Sequence, residues 1–309
     1  MTKTTTPESQ GRPLVLVLGP LSPYLGSVFK RGFELVDLDP RAAFAFPGDG
    51  ELVLGGAPGA PTLLHRKTGQ DFSALARELA GMVAEVAKQR DLDGVILPAQ
   101  SALAGLERLP QLGETGTTTK TGQSLVALRL RSDLPALPLE DTGRLNDPGL
   151  REAFVTRVYS LLRWKAVRLA PSPTALLDFH ERHKYLLRCF SLEGLRRLGK
   201  LAARAGAEDP GQLVQTYGAE LVAVLASTPT RKRHTDVLLH LLGYFKEKLP
   251  AAERQELLET IEAYRLELLP LIVPVTLINH HVGRLGPDYL ARQWYLNPHP
   301  LELELRNHV

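Results

Sequence analysis

Cysteine is almost missing from this chain of 309 residues: Cys189 is the only one. A disulfide within the chain is therefore impossible, and cysteine-based zinc or iron–sulfur centres, which take several thiolates per metal, lack a ligand set. Long apolar runs are missing too. The best candidate, Leu266 to Leu277, is broken by Pro270 and Pro274 and falls short of the roughly 20 apolar residues of a membrane span. The N-terminus has no apolar stretch behind a basic start. Met1 to Gln10 is polar and threonine-rich, so residues 1–11 read as a disordered tail rather than a signal peptide. A cytoplasmic protein with no membrane partner is expected. Nor does one charge dominate: 37 Lys and Arg stand against 34 Asp and Glu, too even a balance to argue for nucleic acid by itself, although placement can matter more than the total.

What remains is ordinary globular material, 44% hydrophobic and 23% charged, in a chain long enough for two domains of about 150 residues each. The first half alternates strand and helix signals. Strands are expected at Leu14 to Leu18, Phe33 to Leu38, Leu52 to Leu54, Thr62 to His65, Gly94 to Leu97 and Ala136 to Leu139, and helices over Phe72 to Arg90, Gly122 to Arg131 and Pro148 to Trp164. This pattern predicts an α/β layer with a mostly parallel sheet over residues 12–167, with ligands at the strand ends after Leu18, Leu38 and Leu97. After a short linker, Lys165 to Ser172, every long segment has a helical period. Thr174 to Phe190, Leu192 to Ala205, Gln212 to Ala226, Arg231 to Leu249, Ala252 to Leu266 and Leu271 to Leu285 are punctuated by Pro229, Pro250, Pro270 and Pro287. Residues 171–309 are expected to form an all-α bundle, its end from Tyr295 to Val309 running extended over the surface.

Several phrases of this second half are specific. They are Phe179-His180-Glu181-Arg182-His183-Lys184-Tyr185-Leu186, Thr230-Arg231-Lys232-Arg233-His234-Thr235, His240-Leu241-Leu242-Gly243-Tyr244-Phe245, Tyr264-Arg265, Pro270 to Pro274, and Gln293-Trp294-Tyr295-Leu296-Asn297-Pro298. Through them the region from about Pro171 to Asn307 resembles the YbgA-like domain family, all-helical and of uncertain biochemical role. The first half, through Gly143-Arg144-Leu145-Asn146-Asp147-Pro148 and Leu150-Arg151-Glu152 to Arg163-Trp164, resembles the iron–sulfur domain family that includes thiouracil desulfidases. That family's three cysteine motifs stand here without cysteine. By position they fall near Pro20, Asp39 and Ala104, with Arg41 at a family carboxylate position. Pro and Ala cannot ligate iron, and one Asp39 carboxylate does not replace three thiolates. The resemblance therefore implies a scaffold that has lost both cluster and desulfidase activity, and no cofactor is expected there.

Two constellations remain in the second half, which holds eight of the nine histidines. His183, His234 and His281 each lie in the apolar stripe of a predicted helix. Meeting between helices, with His240 and Tyr264 nearby, they would form a divalent-metal or acid/base site; as core histidines they would only satisfy backbone groups, the commoner case. At Thr230, an N-cap candidate, Arg231, Lys232 and Arg233 occupy the first turn of a helix whose dipole already disfavours cations. Such an arrangement suits a bound anion, phosphate above all. From Arg182 to Arg204 seven bases, Lys184 and Arg188 among them, face one acid, whereas Glu247 to Glu267 holds six acids and three bases. This polarity fits either a solvated or internally paired surface or a phosphate-binding face. Gly113 to Gly122 has phosphate-loop composition without Walker spacing and reads as a mobile loop, and Ser101 has no Gly-x-Ser-x-Gly context. Three functions follow: a non-catalytic or diverged protein binding a nucleotide or nucleic acid through Thr230 to His234, Lys184 and Arg188; an enzyme with a histidine site; or an interaction scaffold.

Overall fold

The computed structural model describes residues 11–57, 59–113, 117–286, 288–301 and 305–308, without the side chains of residues 41, 43 and 49. The expected N-terminal tail lies, but for residue 11, outside the described residues. The chain divides into two compact units, Met1–Asp147 and Pro148–Val309.

The first unit contains β1 (Leu14–Val17), α1 (Pro23–Gly32), β2 (Glu34–Asp37), α2 (Pro40–Ala43), β3 (Leu52–Ala57), β4 (Ala60–His65), α3 (Ser73–Gln89), β5 (Gly94–Leu97), β6 (Leu109–Leu112), β7 (Thr118–Gly122), α4 (Leu125–Asp133) and β8 (Leu139–Asp141). The α/β reading holds. Four strands form a parallel sheet in the order β2-β1-β5-β8, Leu16 lying opposite Val36 on one side and Val95 on the other. β1 and β5 are short apolar runs buried on both faces, as central parallel strands require.

A second sheet, β4-β3-β6-β7, was less visible in the sequence because it is built from antiparallel hairpins. Its β7 corrects the mobile-loop expectation. Thr118 to Gly122 pairs with β6, and Gly122 is needed because a Cβ there would stand 2.8 Å from Leu54 Cδ1; residues 114–116 of that loop lie outside the described residues. Helix α1 went unread although its start is encoded: Pro23 sits at N1 and Leu25 N–H donates to Ser22 Oγ at 3.3 Å. The last strand begins at Leu139 rather than Ala136, as Pro138 has no N–H for the ladder.

The second unit is all-helical: α5 (Pro148–Leu169), α6 (Pro173–Phe190), α7 (Leu192–Ala202), α8 (Pro210–Leu225), α9 (Arg231–Gly243), α10 (Ala251–Arg265), α11 (Ile272–Leu285) and α12 (Asp288–Ala291). α5 belongs to this unit, whereas the sequence pattern places Pro148 to Trp164 with the α/β layer. Its Trp164 stacks on Tyr217 at 5.0 Å and meets Phe179 edge-on at 4.9 Å. Ser172, Ser191, Asp209 and Thr230 cap α6 to α9, each accepting from the backbone N–H three residues on. Close crossings rest on glycine. A Cβ at Gly194 would lie 2.3 Å from Val224 Cγ2, and one at Gly218 2.7 Å from Trp164 Nε1.

The chain end is not an extended surface strand. Tyr295, Leu296, Leu305 and Arg306 are buried, because Arg306 donates through Nη1 to the Tyr295 carbonyl at 2.8 Å and through Nε to Glu152. Residues 302–304 and 309 lie outside the described residues. Among the described residues no helix is long and apolar enough to cross a membrane.

Candidate functional sites

At the carboxyl ends of β1, β2 and β5 a cleft of about 420 Å³ opens, lined among others by Gly19, Pro20, Asp37, Asp39, Ser101 and Ala104. This is where a parallel sheet offers its loops to a ligand. Pro20, Asp39 and Ala104, named from three separate stretches of sequence, share this one wall. Local constraints shape it. A Cβ on Gly19 would stand 2.9 Å from Pro98 Cβ, Ser101 Oγ accepts from Ala104 N–H at 3.2 Å, and Gln100 holds a left-handed φ of 53°, the kind of strained backbone that functional loops retain. No thiol lines the cleft, so its donor set does not fit an iron–sulfur cluster.

The histidines do not meet. His183 is 1% exposed; its Nδ1–H donates to the Phe179 carbonyl at 2.8 Å and its ring stacks on Phe179. Burial, then Arg163, holds its pKa well below the usual imidazole range. His234 bonds Tyr295 Oη at 3.2 Å and is pulled down to about 4 by burial, against the Glu152 charge. His281 stands 3.7 Å from Glu253. Tyr264 lies buried under Arg231, its phenol pushed well up by burial. Among the described residues no three His, Cys, Asp or Glu side chains are grouped to hold a metal ion. His183 and His234 each hydrogen-bond a different partner, and His281 lies against Glu253 without a hydrogen bond at Nδ1.

The cations at the start of α9 also have a task that the sequence did not show. Thr230 Oγ1 caps the helix as expected, accepting from Arg233 N–H at 3.4 Å. Arg233 Nη1, however, donates to the Phe190 carbonyl at the end of α6 at 2.6 Å, and Arg231 Nη1 to the Tyr264 carbonyl at the end of α10 at 2.7 Å. Each guanidinium thus adds a charged donor to a carbonyl at the negative end of a neighbouring helix, beside Ser227 Oγ on Phe190 and the Glu267 N–H on Tyr264. The negative charge inferred for this turn is supplied by two helix C-termini and by Glu267, whose carboxylate stands 3.6 Å from Arg231 Nε. Lys232 alone of the three points to solvent.

Much of the basic face is paired as well: Arg188 with Asp236, Arg197 with Glu193 and Glu220, Arg204 with Glu208. Beside Lys184 and Arg188 stands an aromatic group of Tyr185 and Tyr244, two tyrosines whose spacing in the sequence allows either base stacking or core packing, joined by Tyr289, which sequence reasoning missed. Tyr185 Oη donates to Tyr244 Oη at 2.8 Å, and the rings of Tyr185, Tyr244, Tyr289 and His240 lie within 6.4 Å of one another in successive contacts. Tyr244 is 37% exposed and His240 is exposed. Burial, then Arg188 and Lys184, lowers the His240 pKa, so cations and rings occupy one neighbourhood. The i, i+4 spacing of Asp236, His240 and Tyr244 carried this signal; Tyr289 comes from a distant element that no local pattern ties to them.

Fold and phrases together define a protein with an α/β unit followed by a YbgA-type helical unit. Residues 184–300 match the family described as Protein of unknown function (DUF1722). The Escherichia coli (strain K12) protein described as Uncharacterized protein YbgA is 31% identical over 134 residues, 43% of this chain and 79% of that protein. The chain belongs to this YbgA (DUF1722) family. Among solved structures, the [4Fe-4S]-dependent thiouracil desulfidase TudS aligns with 44% of this chain and 95% of that one, at 14% identity and a TM-score of 0.34.

Proposed function

We propose that this chain is a diverged cytoplasmic protein that binds a phosphate-bearing partner, a nucleotide or nucleic acid, through the α6–α9 face of its helical unit. One observation carries the reading: Lys184 and Arg188 stand beside the exposed rings of His240 and Tyr244. Stacking on an aromatic platform with flanking cations tolerates any base, and alanine at such a ring costs about 1–3 kcal/mol. Two phosphate contacts on a single strand give a salt slope of about −1.4. Fluorescence anisotropy of a labelled single-stranded oligonucleotide tests this. Lys184→Glu with Arg188→Glu should abolish binding, Tyr244→Ala should weaken it about tenfold, and Asp236→Asn, which frees Arg188 from its ion pair, should tighten it. A wild-type protein that does not bind at low salt overturns the reading.

For the α/β unit the reading is a cleft without a cluster, supported by Pro20, Asp39 and Ala104 sharing its wall. Anaerobic treatment with iron and sulfide should leave no bound iron with acid-labile sulfide; stoichiometric uptake of both would refute this.

A further inference from the structure

Arg163 of α5 is 8% exposed, and among the described residues no carboxylate pairs with it. Its Nη2 donates to the Pro298 carbonyl at 2.5 Å and its guanidinium lies 3.5 Å from the centre of the Trp294 ring, but Nη1 is buried with no partner. Burial, then the charge of Arg182, pulls its pKa down to about 9, which still leaves it charged at neutral pH. Buried charges are paired as a rule; this one has only another cation for company. Arg182 lies over the same Trp294 ring at 4.5 Å. One of its amino groups is 3.6 Å from Asp178, while its Nε is buried and unpartnered. Two guanidiniums with open N–H groups thus share one indole.

The open atoms around them are of the complementary kind. His183 donates through Nδ1 to Phe179, so in its neutral form Nε2 carries a lone pair, and Nε2 is buried without a partner. Gln293 is anchored by its amide nitrogen on the Glu181 carbonyl at 2.8 Å, which leaves its Oε1 buried and open as a second acceptor. Arg163, Arg182 and His183 all lie about the Trp294 ring, next in sequence to Gln293, and unpartnered buried polar atoms call for an explanation. A fully deprotonated oxyanion would satisfy the guanidiniums and turn lone pairs toward His183 and Gln293. An oxyanion that keeps a proton satisfies both sets.

We propose that the helical unit contains a buried binding site for a hydroxyl-bearing oxyanion, such as the monoprotonated phosphate of a phosphomonoester, held by Arg163 Nη1 and Arg182 Nε beside Trp294 with its proton donated to His183 Nε2. The site is separate from the α6–α9 face and does not depend on it.

Inorganic phosphate and sulfate, alike in shape and differing in the proton at neutral pH, are the probes. Phosphate should raise the unfolding temperature of the full chain saturably, by about 3 °C or more at high excess over its dissociation constant, and sulfate at equal ionic strength should not. The rise should vanish in Arg163→Gln and persist in Lys184→Glu with Arg188→Glu, which separates this site from the surface face. Trp164→Phe leaves Trp294 as the sole tryptophan, and its emission should respond saturably to phosphate even if Arg163→Gln fails to fold. Absence of a saturable response, an equal response to sulfate, or a response unchanged in Arg163→Gln would overturn the site.

Discussion

Arg306 donates through Nε to the carboxylate of Glu152 at 2.8 Å, both side chains buried and 154 residues apart. The pair ties Arg306, near the end of the chain, to the second turn of α5. Removing one partner of such a pair leaves a buried uncompensated charge and costs about 3–5 kcal/mol, so Arg306→Met should lower the urea midpoint sharply. Burial pushes the Glu152 pKa up, but the charge and hydrogen bond of Arg306 outweigh it, with His234 adding to the attraction, and the net shift is downward. Stability from this pair is therefore fully present above the unfolded carboxyl pKa of about 4.3 and lost as pH falls below it. An Arg306→Met protein as stable as the wild type would show the pair to be incidental.

Histidines give a second, higher acid transition. Burial holds His234 at about 4 and His299 at about 3, and keeps His183 well below its usual range. Unfolded, each titrates near 6.5. Between that value and the folded one, the unfolded chain takes up protons that the folded chain refuses, so stability falls as the solution is acidified. The slope approaches about 1.4 kcal/mol per pH unit for each histidine. Urea denaturation at pH 7 and pH 5 reads it directly; equal midpoints would mean that these imidazoles reach solvent.

Arg231 and Arg233 should behave as structural residues. Hydrogen bonds to a charged donor contribute about 1.5–3 kcal/mol each, and reversing both charges would set carboxylates against the carbonyl ends of α6 and α10. Arg231→Glu with Arg233→Glu is expected to lower unfolding stability by about 3 kcal/mol or more, whereas Lys232→Glu, altering a solvent-exposed side chain, should change it by less than about 0.5 kcal/mol. A double variant of wild-type stability that has lost oligonucleotide binding would return these residues to the ligand.

Cys189 should be inert. It is buried, its Sγ–H donates to the Leu186 carbonyl, and burial, followed by the Glu152 charge, pushes the thiol pKa well up. A thiol-specific reagent should label the native protein only as fast as it unfolds, and label it fully in urea. Fast labelling of folded protein would contradict this.

The parts of the fold that could be read along the chain are those whose causes are local. β1 and β5 were legible as apolar runs, and α6 to α9 through Ser172, Ser191, Asp209 and Thr230, because capping needs only a side chain and an N–H three residues on. Weakly patterned β6 and β7 were not, since what stabilises them is the neighbouring strand. For the cleft, Pro20, Asp39 and Ala104 could be named from sequence, but their sharing a wall follows from the β2-β1-β5 strand order.

The amino-acid sequence by itself determined the class of the two units, most helix starts, and the lack of thiolates that bars a cysteine-ligated cluster. Tertiary structure alone decided which charges are free. Arg233 finds its carbonyl 43 residues earlier and Arg231 finds one 33 residues later, so a first turn that looked ready for phosphate is already neutralised. Arg163, unremarkable among the basic residues of α5, is the cation that folding buries without a carboxylate partner among the described residues. Periodicity and capping act over a few residues; charge compensation depends on which distant groups the fold brings within about 4 Å.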